Sequence, residues 1–357
     1  MFLPVLLIRD YGLSGFLIFA IPNVVGAAAM GWVMRSPEQS RRFTQVHSVA
    51  CGAFSLLTIC FHGFFAGWMG SRLLQNPGLA AIAFGGLILV MTLLMRLGGG
   101  LERWLAAAVA ATSGALFMLV LRYRLDLGIL LPQGVVVTPS ELAGLAAACM
   151  LGFLFCPYLD RTFHWARQST TQTGARWAFG VGFGVVFLGM LCFSLIYADL
   201  ILESRLNRTV LGMLLVHLWV QSSFTVAAHG ALASTLGRVG WMYASAGVCL
   251  ALGVIADQLL YNNCPGGELG YRLFLGFYGL IVPAYVLIGA ASRTGGDKAT
   301  WLLLLLVVAA ALPFYWLAFI EGMMPWAGAG VAIVLLGGLT ARIMPARREE
   351  SIAASGA

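Results

Sequence analysis

Eleven apolar runs of roughly twenty residues follow one another along this chain, at 11–34, 47–69, 77–95, 103–122, 140–159, 176–198, 208–229, 237–260, 268–289, 299–320 and 324–345. A helix rises ~1.5 Å per residue, so about twenty apolar residues cross the ~30 Å of hydrocarbon in a bilayer. Hydrocarbon offers no partner to a backbone N–H or C=O, and only helices and closed barrels satisfy their own. The chain therefore reads as an all-α polytopic transmembrane helix bundle of about eleven spans. Composition agrees, with 60% hydrophobic and 10% charged residues, against roughly 45–50% apolar in soluble domains. The connecting loops are too short to hold a soluble domain. Residues 1–345 are expected to form a single transmembrane domain, and the polar 346–357 a disordered cytoplasmic tail.

A net charge of +7 would suit a polyanion, but its distribution points to topology instead. Placing the loops after odd-numbered spans in the cytoplasm puts fourteen of the 21 Lys and Arg residues inside, among them Arg35, Arg41, Arg42, Arg161, Arg167 and Arg176. The positive-inside rule then gives an outside N-terminus and a cytoplasmic C-terminus in the inner (cytoplasmic) membrane. Membrane lipids are the expected surroundings, with no nucleic-acid partner. The opening MFLPVLLIRD has too short an apolar run for a removable signal peptide. Six of the seven cysteines fall in apolar spans, and no CxxC or zinc-ligand spacing occurs.

In so apolar a bundle the polar residues and helix breakers inside the spans carry the information. GFLIFAIPNVVGAAAMGWVM holds Pro22, Asn23 and Gly26 in its middle; Pro22 removes a backbone donor, and such breaks are tolerated where the chain faces protein or a cavity. Span five ends in CPYLDRTFHWARQ, where Cys156, Pro157 and Tyr158 precede a basic amphipathic stretch in which Asp160 and His164 stand four apart. Span seven, VLGMLLVHLWVQSSFTVAAHGAL, contains His217, Gln221, Ser222, Ser223, Thr225 and His229. Adjacent hydroxyls such as Ser222 and Ser223 either bond back to their own helix or hold a hard cation beside the carbonyls of an unwound neighbour. No HExxH, GxSxG, Walker-type or paired-carboxylate pattern is present, so an enzyme is not expected.

The segment LGFLFCPYLDRTFHWARQSTTQTGAR resembles a stretch of the sodium:solute symporter family, through Gly152, Pro157, Arg161, Phe163 and the basic residues that follow. Ser222 and Ser223 fall where that family holds its cation, and Asn23, Val24, Val25 and Gly26 look like the unwound segment of LeuT-type proteins. The resemblance implies a LeuT-like fold of two inverted five-helix repeats, here with a helix missing, because only four spans precede span five. Span one is then either the family's second core helix or the first, with a helix lost between the repeats. It also implies alternating-access transport of a small neutral or zwitterionic solute coupled to Na+ or H+. Pro22, Asn23, Gly26, Cys156, Pro157, Tyr158 and Gln221 would meet the solute, and Ser222 with Ser223 would hold Na+, with no other cofactor. Two alternatives stay open: a non-transporting sensor or partner subunit of the same fold, and an integral-membrane enzyme using Asp160 and His164 on lipid.

Overall fold

In the computed structural model, residues 3–74, 76–98, 100–127, 136–202, 208–233, 239–258, 260–261, 264–290 and 297–343 are described. The expected tail over 346–357 lies outside them, as do Arg205, Arg238 and Arg293 among the charges used for topology. The chain runs through α1 (Leu3–Val33), α2 (Pro37–Val46), α3 (Ser48–Leu74), α4 (Pro77–Arg96), α5 (Leu101–Leu127), α6 (Pro139–Phe155) and α7 (Arg161–Gln168). It continues through α8 (Gln172–Val181), α9 (Leu188–Leu202), α10 (Arg208–Ala233), α11 (Val239–Ile255), α12 (Gly266–Ala284), α13 (Lys298–Phe319) and α14 (Trp326–Ile343). A π-helical segment, Gly182–Phe187, joins α8 to α9 in one continuous rod. Among the described residues the strands are a two-residue antiparallel pair, Leu260–Tyr261 with Cys264–Pro265.

Among the described residues, ten helices are long and apolar enough to cross a membrane. Of the expected eighth span the described residues show a 17-residue α11 continued by one 3-10 turn, Ala256–Gln258. Local chemistry sets several helix starts. Ser36, Asn76, Thr138 and Asp160 cap α2, α4, α6 and α7 through side-chain oxygens, and a proline follows immediately in the first three. Thr138 and Glu141 close a reciprocal capping box.

The two short polar helices, α2 and α7, follow α1 and α6 and pack on each other. α1 and α6 themselves run side by side in one direction. Phe19 meets Phe153 with ring centroids 4.8 Å apart, Gly26 lies against Leu154, and beyond the helix ends the Arg167 guanidinium donates to the Met34 carbonyl. A Cβ on Gly26 would stand 2.6 Å from the Leu154 carbonyl oxygen, so only glycine permits this approach. α11 packs along α3, α10 against α3 and α4, and α6 also touches α12 and α14.

The expected break at Pro22 and Asn23 is absent. α1 is helical through both residues and through Gly26, so no unwound segment occurs there. Pro22 withholds the donor that the Ile18 carbonyl would receive, but one missing bond kinks a helix without ending it. Asn23 adds a bond of its own, Nδ2 donating to the Phe19 carbonyl at 2.9 Å. The discontinuity lies instead at Gly12, with φ 60 and ψ −148, a conformation open essentially to glycine alone.

Candidate functional site

Pro157 interrupts its helix as the sequence leads one to expect. α6 ends at Phe155, a 3-10 turn covers Cys156–Tyr158, and Leu159 N–H donates to the Cys156 carbonyl at 3.0 Å. Asp160 then restarts the chain as the cap of α7, its Oδ1 accepting from Thr162 N at 2.8 Å and Thr162 Oγ1 at 2.7 Å. This interruption forms one end of a partly open cavity of about 310 Å³. Ten phenylalanines and Tyr278 contribute to its wall. Its polar groups come from four places: Asn23 on α1, Thr58 and His62 on α3, Asp160 and Thr162 at the start of α7, and Gln221, Ser222, Thr225 and His229 on α10.

Each helix contributes one stripe. On α10 the lining residues are 218, 221, 222, 224, 225, 228 and 229; on α3 they are 54, 58, 61, 62 and 65; on α1 they are 19, 23 and 27, with Leu3 at its start. These are the three- and four-residue spacings of a single helical face.

The polar groups are tied together. His229 is 1% exposed; its Nδ1 stands 3.1 Å from Ser55 Oγ and its Nε2 3.8 Å from Asp160 Oδ1. With Nε2 carrying the proton toward the carboxylate and Ser55 donating to Nδ1, a neutral imidazole satisfies both contacts. His62 donates from Nδ1 to the Thr58 carbonyl at 2.7 Å, which leaves Nε2 as the unprotonated nitrogen of a neutral ring. Gln221 donates from Nε2 to Ser113 Oγ at 2.7 Å.

Of the residues expected at a binding site, Asn23, Cys156, Pro157, Gln221 and Ser222 line this cavity. Pro22 is buried in α1, and Gly26 is spent on the contact with α6. The Tyr158 side chain packs with Met30, Met34, Ala175 and Phe179, while its carbonyl accepts from His164 Nε2 at 2.8 Å. Ser222 and Ser223 are not brought to one point, because neighbours on a helix project about 100° apart. Ser222 lines the cavity, whereas the Ser223 hydroxyl is buried without a hydrogen-bond partner among the described residues.

Among the described residues no side-chain hydrogen bond joins Asp160 and His164 either. His164 turns toward α2, with Nδ1 2.9 Å from Ser40 Oγ and its ring stacked on Phe43. Burial holds its pKa below the usual imidazole range. Among the described residues no group of three or more His, Cys, Asp or Glu side chains could hold a metal ion.

Thr58, His62, Asp160 and His229 were not singled out from sequence as solute-binding positions. For Thr58, His62 and His229, the stripes just described are the signal by which they could be found. The fold and cavity define a polytopic helical membrane protein with an aromatic, polar-floored chamber inside its bundle. Neither a protein-family model nor a curated protein matches this chain.

Proposed function

We propose that this chain is a secondary-transporter-like protein of the cytoplasmic membrane that carries a small organic solute by alternating access, coupled to Na+ or H+. One observation carries this reading: the polar groups of the cavity converge from α1, α3, α7 and α10 beside the 3-10 interruption at Cys156–Tyr158. Solute sites in secondary transporters occur where helices are discontinuous, because only there does backbone polarity meet a cavity inside the membrane.

Kinship with the sodium:solute symporters belongs to the proposal. First helices of inverted repeats run in opposite directions, whereas α1 and α6 run in the same one, with Phe19 on Phe153 and Gly26 on Leu154. That favours α1 as the family's second core helix and α6 as the first helix of the second repeat. The N-terminus outside and the C-terminus inside belong to the proposal too, and eleven spans are supported by α11 and its 3-10 turn. Together they cover 239–258, roughly 30 Å at ~1.5 Å and ~2 Å per residue. The packing of α2 on α7 places Arg41, Arg42, Arg161 and Arg167 at one end of the bundle, in keeping with a cytoplasmic face.

Of the two coupling ions, the proton has the more complete apparatus, since His229 and Asp160 face each other across the cavity wall. Sodium would draw on Ser222 alone unless Ser223 turned.

Distances between spin labels at Arg41→Cys on α2 and Leu97→Cys after α4, both exposed sites, test the reading in reconstituted protein. Alternating access predicts two distance populations whose ratio shifts with Na+ or pH. A single narrow distance under all conditions would overturn transport and leave the non-transporting relative.

A further inference from the structure

Asp160 is the one charged residue lining the cavity, and no Lys or Arg does so among the described residues. Its Oδ1 is occupied by Thr162 and faces His229, but its Oδ2 takes no hydrogen bond from any described residue. The neighbouring Arg161 guanidinium does not neutralise it from within the chamber. It turns to α3, where Nη2 donates to the Ser48 carbonyl at 3.0 Å. His62 at the Thr58 carbonyl and His229 at Ser55 Oγ make contacts that neutral rings satisfy, so neither needs a positive charge there.

A carboxylate set in a low-dielectric chamber is costly unless an opposite charge pairs with it. A neutral solute leaves that cost standing, and an anion adds to it. The rest of the wall suits the same partner. Tyr278 lies 4.4 Å from Phe274 and 5.6 Å from Phe153, and Phe153 lies 4.8 Å from Phe19, all by ring centroids. A run of aromatic faces attracts a cation more strongly once water is excluded. At about 310 Å³ the chamber stands at the small end of ligand pockets, roughly 300–1,000 Å³.

From these features we infer that the cavity takes a small organic cation, its ammonium group on Asp160 Oδ2 and its apolar body against the phenylalanine rings. This rests on the transport reading and changes its expected solute from neutral or zwitterionic to cationic.

Three probes that share one ring and differ in charge test it: cyclohexylammonium, cyclohexanol and cyclohexanecarboxylate, each titrated at pH 7.5 against the thermal midpoint of the purified protein. Cyclohexylammonium is expected to raise the midpoint saturably, and the other two to leave it unchanged at the same concentrations. Asp160→Asn keeps a cap for α7, since asparagine caps as well as aspartate; it should weaken the cation's effect by tenfold or more. Should that variant fail to fold, Tyr278→Phe and Tyr278→Leu serve instead: phenylalanine retains the cation's effect because the ring is what binds, and leucine diminishes it. An equal or larger shift with cyclohexanol or the carboxylate, or an undiminished cation shift in Asp160→Asn, would overturn the inference. So would the absence of any shift. In every one of those cases the spin-label distances of the same protein judge transport separately: two populations retain it, and one narrow population removes it.

Discussion

His229 on α10 directs its Nε2 at Asp160 Oδ1, 3.8 Å away, while its Nδ1 meets Ser55 Oγ on α3 at 3.1 Å. One imidazole thus joins three elements around the cavity: α10, α3 and the cap of α7. Replacing it by phenylalanine fills the space but leaves a buried hydroxyl and a carboxylate without their partner, at a cost of about 1–3 kcal/mol. Glutamine can donate to Asp160 and accept from Ser55, so His229→Gln should stay close to wild type. Unfolding in detergent, measured for both variants, checks this; phenylalanine tolerated better than glutamine would contradict the bonding scheme.

His164 predicts a pH dependence. Its ring sits among Ser40, Phe43 and the Tyr158 carbonyl, with Asp160 favouring its protonation and His47 opposing it, and burial, the largest effect, lowers its pKa. The unfolded chain takes up a proton as pH falls below ~6.5, while the folded chain refuses it until a lower pH. His164 therefore contributes stability that is whole above pH ~6.5 and is lost as pH falls toward the native pKa. His164→Gln, which does not titrate, should flatten the fall in thermal midpoint between pH 7.5 and 5.5. A slope identical to wild type would show that another group sets it.

Gly12 carries the discontinuity of α1, and no atom lies within 4 Å of where its Cβ would be. The cost of Gly12→Ala is then conformational alone, about 1–3 kcal/mol for a residue forced into a glycine-only region. Pro22→Ala, by contrast, restores a donor in a segment that is already helical and should leave stability equal or higher. Thermal midpoints of the two variants, compared under one condition, check the order. Greater damage from Pro22→Ala would place the functional break back at residue 22.

Much of the architecture was legible because membrane helices obey two simple demands, a run of about twenty apolar residues and internal satisfaction of the backbone. The interruption at Pro157 was legible for the same reason, since it is written within a few adjacent residues. Gly12 was not, because the expected first span began at residue 11, while the buried Val5, Leu6, Leu7 and Ile8 extend α1 past it. Pro22 misled because Asn23 bonds back to Phe19 inside the same helix. The cavity was half legible. Gln221, Ser222, Thr225 and His229 share a face of α10 that the 3.6-residue period displays, but which aromatic rings from other helices close over that face is a matter of tertiary packing.

The central claim is that this chamber communicates with water on each side of the membrane in turn. Thr225 lies on its wall, and Thr225→Cys can be placed in a chain whose seven cysteines are replaced by alanine. A membrane-impermeant thiol reagent is then applied from one side at a time to sealed vesicles of both orientations. Alternating access predicts modification of residue 225 from either side, each slowed by a bound solute, with a lipid-facing control such as Leu305→Cys unreactive. Modification from neither side, or from one side only under all conditions of Na+ and pH, would contradict it.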